Sequence, residues 1–209
     1  MDNRILFCVD TSASMGYSSY YEQSPLDCLY EALPDFFDKL QNSGYNFKIK
    51  VIEFSESTTI SDWFDLSENI SFTLNAHGSG KVIKALHSVT NTFDDYNLQE
   101  SCKYLIFVSD GILDPDEDWD SLHSAIHSLS HLRFSVDFEN EFMTSNERKG
   151  KKYFMDFCVG FTNDEGESSL EILEEFFTDS SLHTIAYAEK YRTRLLDIAE
   201  AIINNSKTF

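Results

Sequence analysis

Apolar residues in this chain come in two alternating rhythms. Residues 5–9 (ILFCV), 103–109 (KYLIFVS) and 153–159 (YFMDFCV) are short, nearly unbroken apolar runs. Strands covered on both faces of a parallel sheet read this way, because neither face needs polar side chains. Residues 47–54 (FKIKVIEF) alternate in part and predict another strand. The segment 58–66 follows across Ser55-Glu56-Ser57, a link that suits an antiparallel neighbour. A short last strand is expected at 183–187. Between these runs the spacing changes to that of helices. Residues 25–40 carry Leu26, Leu29, Leu33, Phe36, Phe37 and Leu40, with Pro25 suited to a first helical position and Asn42-Ser43-Gly44 to a stop. Further helices are predicted after Gly78-Ser79-Gly80 (Val82, Ile83, Leu86, Val89), at 119–132 (Leu122, Ile126, Leu129), at 170–177 and at 190–203. The polar segment 139–152 reads as an extended loop or insertion within the same domain. Alternating strands and helices predict an α/β fold: one domain over 1–209, with a doubly wound, mostly parallel six-stranded sheet, one antiparallel edge strand, and helices on both faces.

A chain of 209 residues suffices for one substantial core, and its 42% hydrophobic content excludes a disordered protein. No apolar run reaches the ~18 residues of a membrane span. The five apolar residues after Arg4 are too few for a secretory signal, so a cytoplasmic location is expected. A net charge of −20 repels phosphate backbones and anionic lipid, which argues against nucleic-acid and membrane partners. It suits a cation, a basic partner, or solubility alone. Cys8, Cys28, Cys102 and Cys158 are far apart and form no CxxC pair, so they read as reduced thiols, with Cys8 and Cys158 inside core strands.

The chemistry gathers after the first strand, in Asp10-Thr11-Ser12-Ala13-Ser14-Met15-Gly16. Asp10 falls at a strand's carboxyl end, where open α/β sheets place their ligands. One carboxylate and two hydroxyls there form a hard oxygen set suited to Mg²⁺ or Mn²⁺. Asp110-Gly111 ends a later strand at the same edge.

This Asp10-x-Ser12-x-Ser14 triplet, with a strand-terminal aspartate about 100 residues on, resembles the von Willebrand factor A domain. The resemblance spans essentially the whole chain, including the start of the Lys84-Ala85-Leu86 helix, the VSDG segment and FCVGF. It implies a metal-ion-dependent adhesion site, in which Ser12 and Ser14 bind the metal directly and Asp10 and Asp110 do so directly or through water. The metal would be Mg²⁺, with Mn²⁺ or Ca²⁺ as substitutes. Where the family places a threonine ligand this chain has Gly80, and the adjacent Ser79 is the candidate replacement. Met15, Gly16, Gly80 and Gly111 are expected on the partner-binding face. A site with two neutral hydroxyls leaves the ion electron-poor and ready for one more carboxylate. The implied function is therefore a protein-interaction module, an adaptor or regulatory subunit that binds a protein offering an Asp or Glu, or a basic surface. Compact cytosolic members of the tellurium-resistance type are similar in size and in the DTSxSM sequence. They imply a stress-response or defence complex containing a phosphatase, kinase or ATPase.

Other motifs carry less. Asp10 invites comparison with phosphoaspartyl phosphatases, and a metal-assisted phosphohydrolase is the competing reading. That chemistry needs a carboxylate two residues on, where Ser12 stands. A metal-free scaffold is the third. Gly78-Ser79-Gly80-Lys81 lacks the first glycine and the hydroxyl of a P-loop, having Asn75 and Val82 instead. His123, His127 and His131 form a stripe beside the core side of their helix and read as a solvated face. Asp114, Asp116, Glu117, Asp118 and Asp120 do not complete an EF-hand. They suit either cation attraction or a helix amino terminus. No nucleophile elbow or Cys/His pair is present, and the chain is expected not to be an enzyme.

Overall fold

The run ending at Asp10 forms β1 (Asn3–Asp10), and its lack of alternation has the expected cause. Ile5, Phe7 and Val9 enter one core while Leu6 and Cys8 enter another on the opposite face. The computed structural model describes residues 3–17, 23–67, 73–94, 101–111, 114–139, 154–160, 182–185 and 191–207. In chain order these form β1, α1 (Pro25–Gln41), β2 (Phe47–Phe54), β3 (Thr58–Ile60), β4 (Phe64–Asp65), α2 (Val82–Phe93), β5 (Cys102–Ser109), α3 (Trp119–Glu139), β6 (Phe154–Gly160), β7 (Leu182–Ile185) and α4 (Tyr191–Ser206). The sheet order is β3-β2-β1-β5-β6-β7, with β4 also on β2. β1, β2, β5, β6 and β7 pair in parallel, and β3 and β4 run antiparallel to β2. The α/β, mostly parallel architecture matches the pattern of apolar runs.

One face of the sheet packs on α1 and α4, through Leu29, Leu33, Phe36, Leu195, Ile198 and Ile202. Phe7 meets Phe36 and Phe37 edge-on, with centroids 5.4 and 6.0 Å apart. Such pairs add about 0.5–1.5 kcal/mol each beyond area burial. The other face packs on α2 and α3, through Leu86, Val89, Phe93, Leu122 and Leu129. α1 starts as expected: Ser24 and Asp27 form a reciprocal capping box with Pro25 behind it, and Gly44 follows the helix with φ of 81°.

Two expectations change. The single antiparallel strand over 58–66 is two, so the sheet has seven strands rather than six. Ile52 pairs with Ile60 but Ile49 with Phe64, one residue out of step, so a bulge separates β3 from β4. Ser61 fills it, its N–H donating to the Val51 carbonyl and its Oγ accepting from the Val51 N–H, both at 2.9 Å. α3 also continues to Glu139 instead of stopping near 132, because no Gly or Pro interrupts that stretch. Of the polar segment expected over 139–152, Glu139 ends α3 and the rest lies outside the described residues, as does the helix expected over 170–177. Among the described residues no helix is long and apolar enough to cross a membrane. All four cysteines are buried and none forms a disulfide.

Candidate functional site

Parallel pairing sets the site's position. Val9 lies opposite Val108, so the next residues, Asp10 and Ser109, emerge side by side at the carboxyl edge. Asp10 is completely buried, and both its oxygens are engaged. The Ser12 N–H donates to Oδ1 at 2.8 Å, the two-residue loop closure that aspartate side chains favour. The Ser109 hydroxyl donates to Oδ2 at 2.7 Å and accepts from the Gly111 N–H at 3.0 Å. Gly111 adopts a φ of 78°, turning the chain just past Asp110.

Ser12 and Ser14 hold their hydroxyl oxygens 3.0 Å apart. Adjacent ligands of octahedral Mg²⁺, each 2.0–2.1 Å from the ion, are about 2.9 Å apart. Two hydroxyls at this spacing, with the Asp10 and Asp110 carboxylates at the same sheet edge, fit a hard divalent ion. The electrostatics agree with this fit. Burial raises the Asp10 carboxyl from 3.8 to about 6, and the charge of Asp110 adds to the rise, against the bonds from Ser109 and Ser12. A cation would relieve that repulsion. Among the described residues no three His, Cys, Asp or Glu side chains gather as a metal cluster.

The loop before α2 is stitched to the Asp10 loop. The His77 N–H donates to the Thr11 carbonyl at 2.8 Å, and the Ala13 N–H to the Gly78 carbonyl at 2.9 Å. The Lys81 N–H donates to the Ser55 carbonyl at 3.1 Å. This places Gly80 against Asp10, where a Cβ would stand 3.4 Å from each carboxylate oxygen. Ser79, the candidate replacement donor, instead bonds the Asp114 carboxylate. Of the residues expected on the partner face, Gly16 is exposed while Met15, Gly80 and Gly111 are buried. Met15 belongs to the core beneath α1. Tyr17, 70% exposed, lies next to Gly16 and had not been singled out.

Ser109 was missed as well. The sequence held a signal for it: aligning the ends of the runs ILFCV-D and YLIFV-SD sets Ser109 beside Asp10. Several of the acids after Asp110 have internal work. Asp114 pairs with Lys81 at 2.7 Å, and the bonds from Lys81, Ser79 and the Asp116 N–H lower its carboxyl to about 2. Asp118 caps α3, its Oδ1 accepting from the Ser121 N–H at 2.9 Å. Asp116 and Asp120 are exposed. His123 and His127 are exposed too, as a solvated stripe requires; the third histidine's side chain is not among those described. Burial pushes the Cys8 thiol up, which leaves it inert.

Residues 5–112 match the von Willebrand factor type A domain. Among solved structures, a von Willebrand factor type A protein from Catenulispora acidiphila aligns with a TM-score of 0.66 at 17% identity, covering 97% of this chain and 43% of its own. The pilus adhesin SpaC of Lactobacillus rhamnosus GG aligns with a TM-score of 0.69 at 13% identity, over 97% of this chain and 30% of its own. The corresponding domain of the type V pilus tip protein Mfa5 from Porphyromonas gingivalis gives 0.66 at 12% identity, over 95% and 94%. This chain thus spans less than half of the first two. At these identities the likeness is one of fold. No curated protein matches the chain in sequence.

Proposed function

The chain belongs to the von Willebrand factor type A domain family, and from that premise we propose that it is an interaction module centred on a Mg²⁺- or Mn²⁺-type ion. Such domains serve generally as protein-interaction modules rather than enzymes. The observation that carries the reading is the 3.0 Å pair of Ser12 and Ser14 hydroxyls beside the buried, mutually repelling Asp10 and Asp110. Ser12 and Ser14 would hold the ion, with Asp10 and Asp110 binding or orienting its waters. A bound ion supplies Lewis acidity toward a partner's Asp or Glu. Asp10 also fixes the loop through the Ser12 N–H, so the hydroxyl pair is in place before any ligand arrives. Gly80 adds no oxygen, leaving one more place for water or the partner. The excess of acid on this chain favours a partner whose carboxylate sits among lysines or arginines.

Binding another surface is the property carried over from the pilus adhesin neighbour. For this chain we place that property in an adaptor or regulatory subunit of an intracellular complex. Four buried cysteines that form no disulfide fit a reducing compartment. Calorimetric titration with Mg²⁺ and Mn²⁺ tests the site. Saturable binding by the wild type that is lost in Ser12→Ala/Ser14→Ala supports it, and flat traces from both refute it. Capture of a partner from lysate that is reversed by chelator would extend the result to recognition.

A further inference from the structure

Peptide planes are rigid, so the direction in which Ser12 presents its hydroxyl is set by the two planes that flank it. Between them φ is −62° and ψ is 162°. The plane before Ser12 is held by the Ser12 N–H on Asp10 Oδ1 at 2.8 Å and by the His77 N–H on the Thr11 carbonyl at 2.8 Å. The plane after it is held by the Met15 N–H on the Ser12 carbonyl at 3.1 Å and by the Ala13 N–H on the Gly78 carbonyl at 2.9 Å. Each plane therefore takes one bond from a single distant loop, through its consecutive residues His77 and Gly78. That loop also packs on the turn that carries Ser14, since a Cβ on Gly16 would lie 2.4 Å from the Ala76 Cβ.

A second serine holds the loop in place. Ser55 follows β2, whose Phe54 carbonyl accepts the Thr11 N–H at 2.8 Å, so it is anchored beside the site. Its Oγ lies 2.9 Å from His77 Nε2, and its carbonyl accepts from the Lys81 N–H at 3.1 Å. His77 Nδ1 lies 2.8 Å from the Asn75 carbonyl, which can only accept, so Nδ1 carries the proton. In the neutral ring Nε2 then accepts from the Ser55 hydroxyl. His77 is exposed, yet both its ring nitrogens are engaged by the protein. The Tyr30 hydroxyl meets the carbonyl and the N–H of Leu74, so the loop is pinned at Leu74, at Lys81 and, between them, at His77.

We propose that Ser55 and His77 form a positioning pair: their bond keeps His77 and Gly78 on the peptide planes around Ser12, and so sets the affinity for the ion. The inference rests on the proposed ion site. What the pair positions is the Ser12 hydroxyl, 3.0 Å from that of Ser14. Neither residue serves as a ligand. Their chemistry is that of outer partners which orient ligands without touching the metal, whose loss costs about 10–100-fold in affinity. Every step from Ser55 to Ser12 is a hydrogen bond or a single residue of chain.

A double-mutant cycle on Mn²⁺ binding, measured by calorimetry on folded protein well below its unfolding temperature, tests this. His77→Ala, at an exposed position, is expected to weaken binding about tenfold. Ser55→Ala breaks the same bond, so the double variant is expected to lose no more than either single one. His77→Gln presents an amide oxygen to the Ser55 hydroxyl and is expected to restore most of the affinity. Should Ser55→Ala not fold, the alanine and glutamine variants of His77 carry the test. A purely structural pair would lower the unfolding temperature and leave Mn²⁺ affinity unchanged, which overturns the proposal. Losses that add in the double variant, or that glutamine fails to reduce, overturn it too. If the wild type itself binds no Mn²⁺, the ion-site reading fails and this inference with it, a result distinct from wild-type binding that His77→Ala leaves untouched.

Discussion

Replacing Asp10 by asparagine should stabilise the metal-free protein at neutral pH while abolishing ion binding. Asp10 is completely buried, and its carboxyl is raised from 3.8 to about 6 by burial first and the Asp110 charge second. Between those two values the native state holds a proton that the unfolded chain has released. The native protein is then the better proton binder, so stability falls as pH rises. The contribution is fully present below 3.8 and lost by the time pH has passed about 6. At about 1.36 kcal/mol per pH unit, the interval is worth about 3 kcal/mol. Asparagine avoids that cost. It keeps an oxygen for the Ser12 N–H but presents an amide to Ser109, whose oxygen already accepts from Gly111. One disturbed hydrogen bond costs about 1 kcal/mol, so the variant should be about 2 kcal/mol more stable near pH 8 and about 1 kcal/mol less stable near pH 4. Urea unfolding in chelator, followed by circular dichroism across that range, reads the difference between the two proteins, and acid effects common to both cancel. Saturating Mg²⁺ should reverse the order near pH 8, since an ion at a hundredfold its Kd adds about 2.7 kcal/mol to the wild type alone. A difference that stays constant with pH, or a variant less stable near pH 8 in chelator, would refute the reasoning.

Position 80 offers a gain of function. A Cβ there meets the Asp10 oxygens at 3.4 Å, ordinary contact, so Gly80→Thr should add a hydroxyl to the site and tighten Mg²⁺ binding by about tenfold, read by calorimetry; unchanged or weaker affinity would show that the position contributes no donor. Gly16 is the opposite case. Its missing Cβ would lie 2.4 Å from the Ala76 Cβ, between two backbone segments, so Gly16→Ala should cost about 1–3 kcal/mol in urea unfolding, and a neutral result would mean that the 73–81 loop yields freely.

The parallel core strands were legible because burial on both faces writes itself into a run such as ILFCV, and α1 was legible because its apolar spacing, Pro25 and the Asn42-Ser43-Gly44 stop are local signals. The break between β3 and β4 was not legible. It depends on Ser61 lending a hydroxyl to Val51 of the neighbouring strand, and a side chain replacing a carbonyl leaves no periodic trace. The acids after Asp110 were ambiguous for a similar reason. Composition cannot separate a solvated acid from Glu117, whose partners are amides about 35 residues away.

Sequence alone therefore determined the fold class and the edge of the sheet at which Asp10, Ser12, Ser14 and Asp110, the candidate oxygen donors, stand. These follow from short-range rules: periodicity, strand ends, and turn-forming side chains. Only the tertiary structure decided what surrounds those donors. It brought Ser109 onto Asp10 across 99 positions, set Gly80 against the same carboxylate, turned Ser79 toward Asp114, and buried Met15. Register between strands and the docking of loops on helix ends arise from packing among distant segments, and no local pattern in the chain records them.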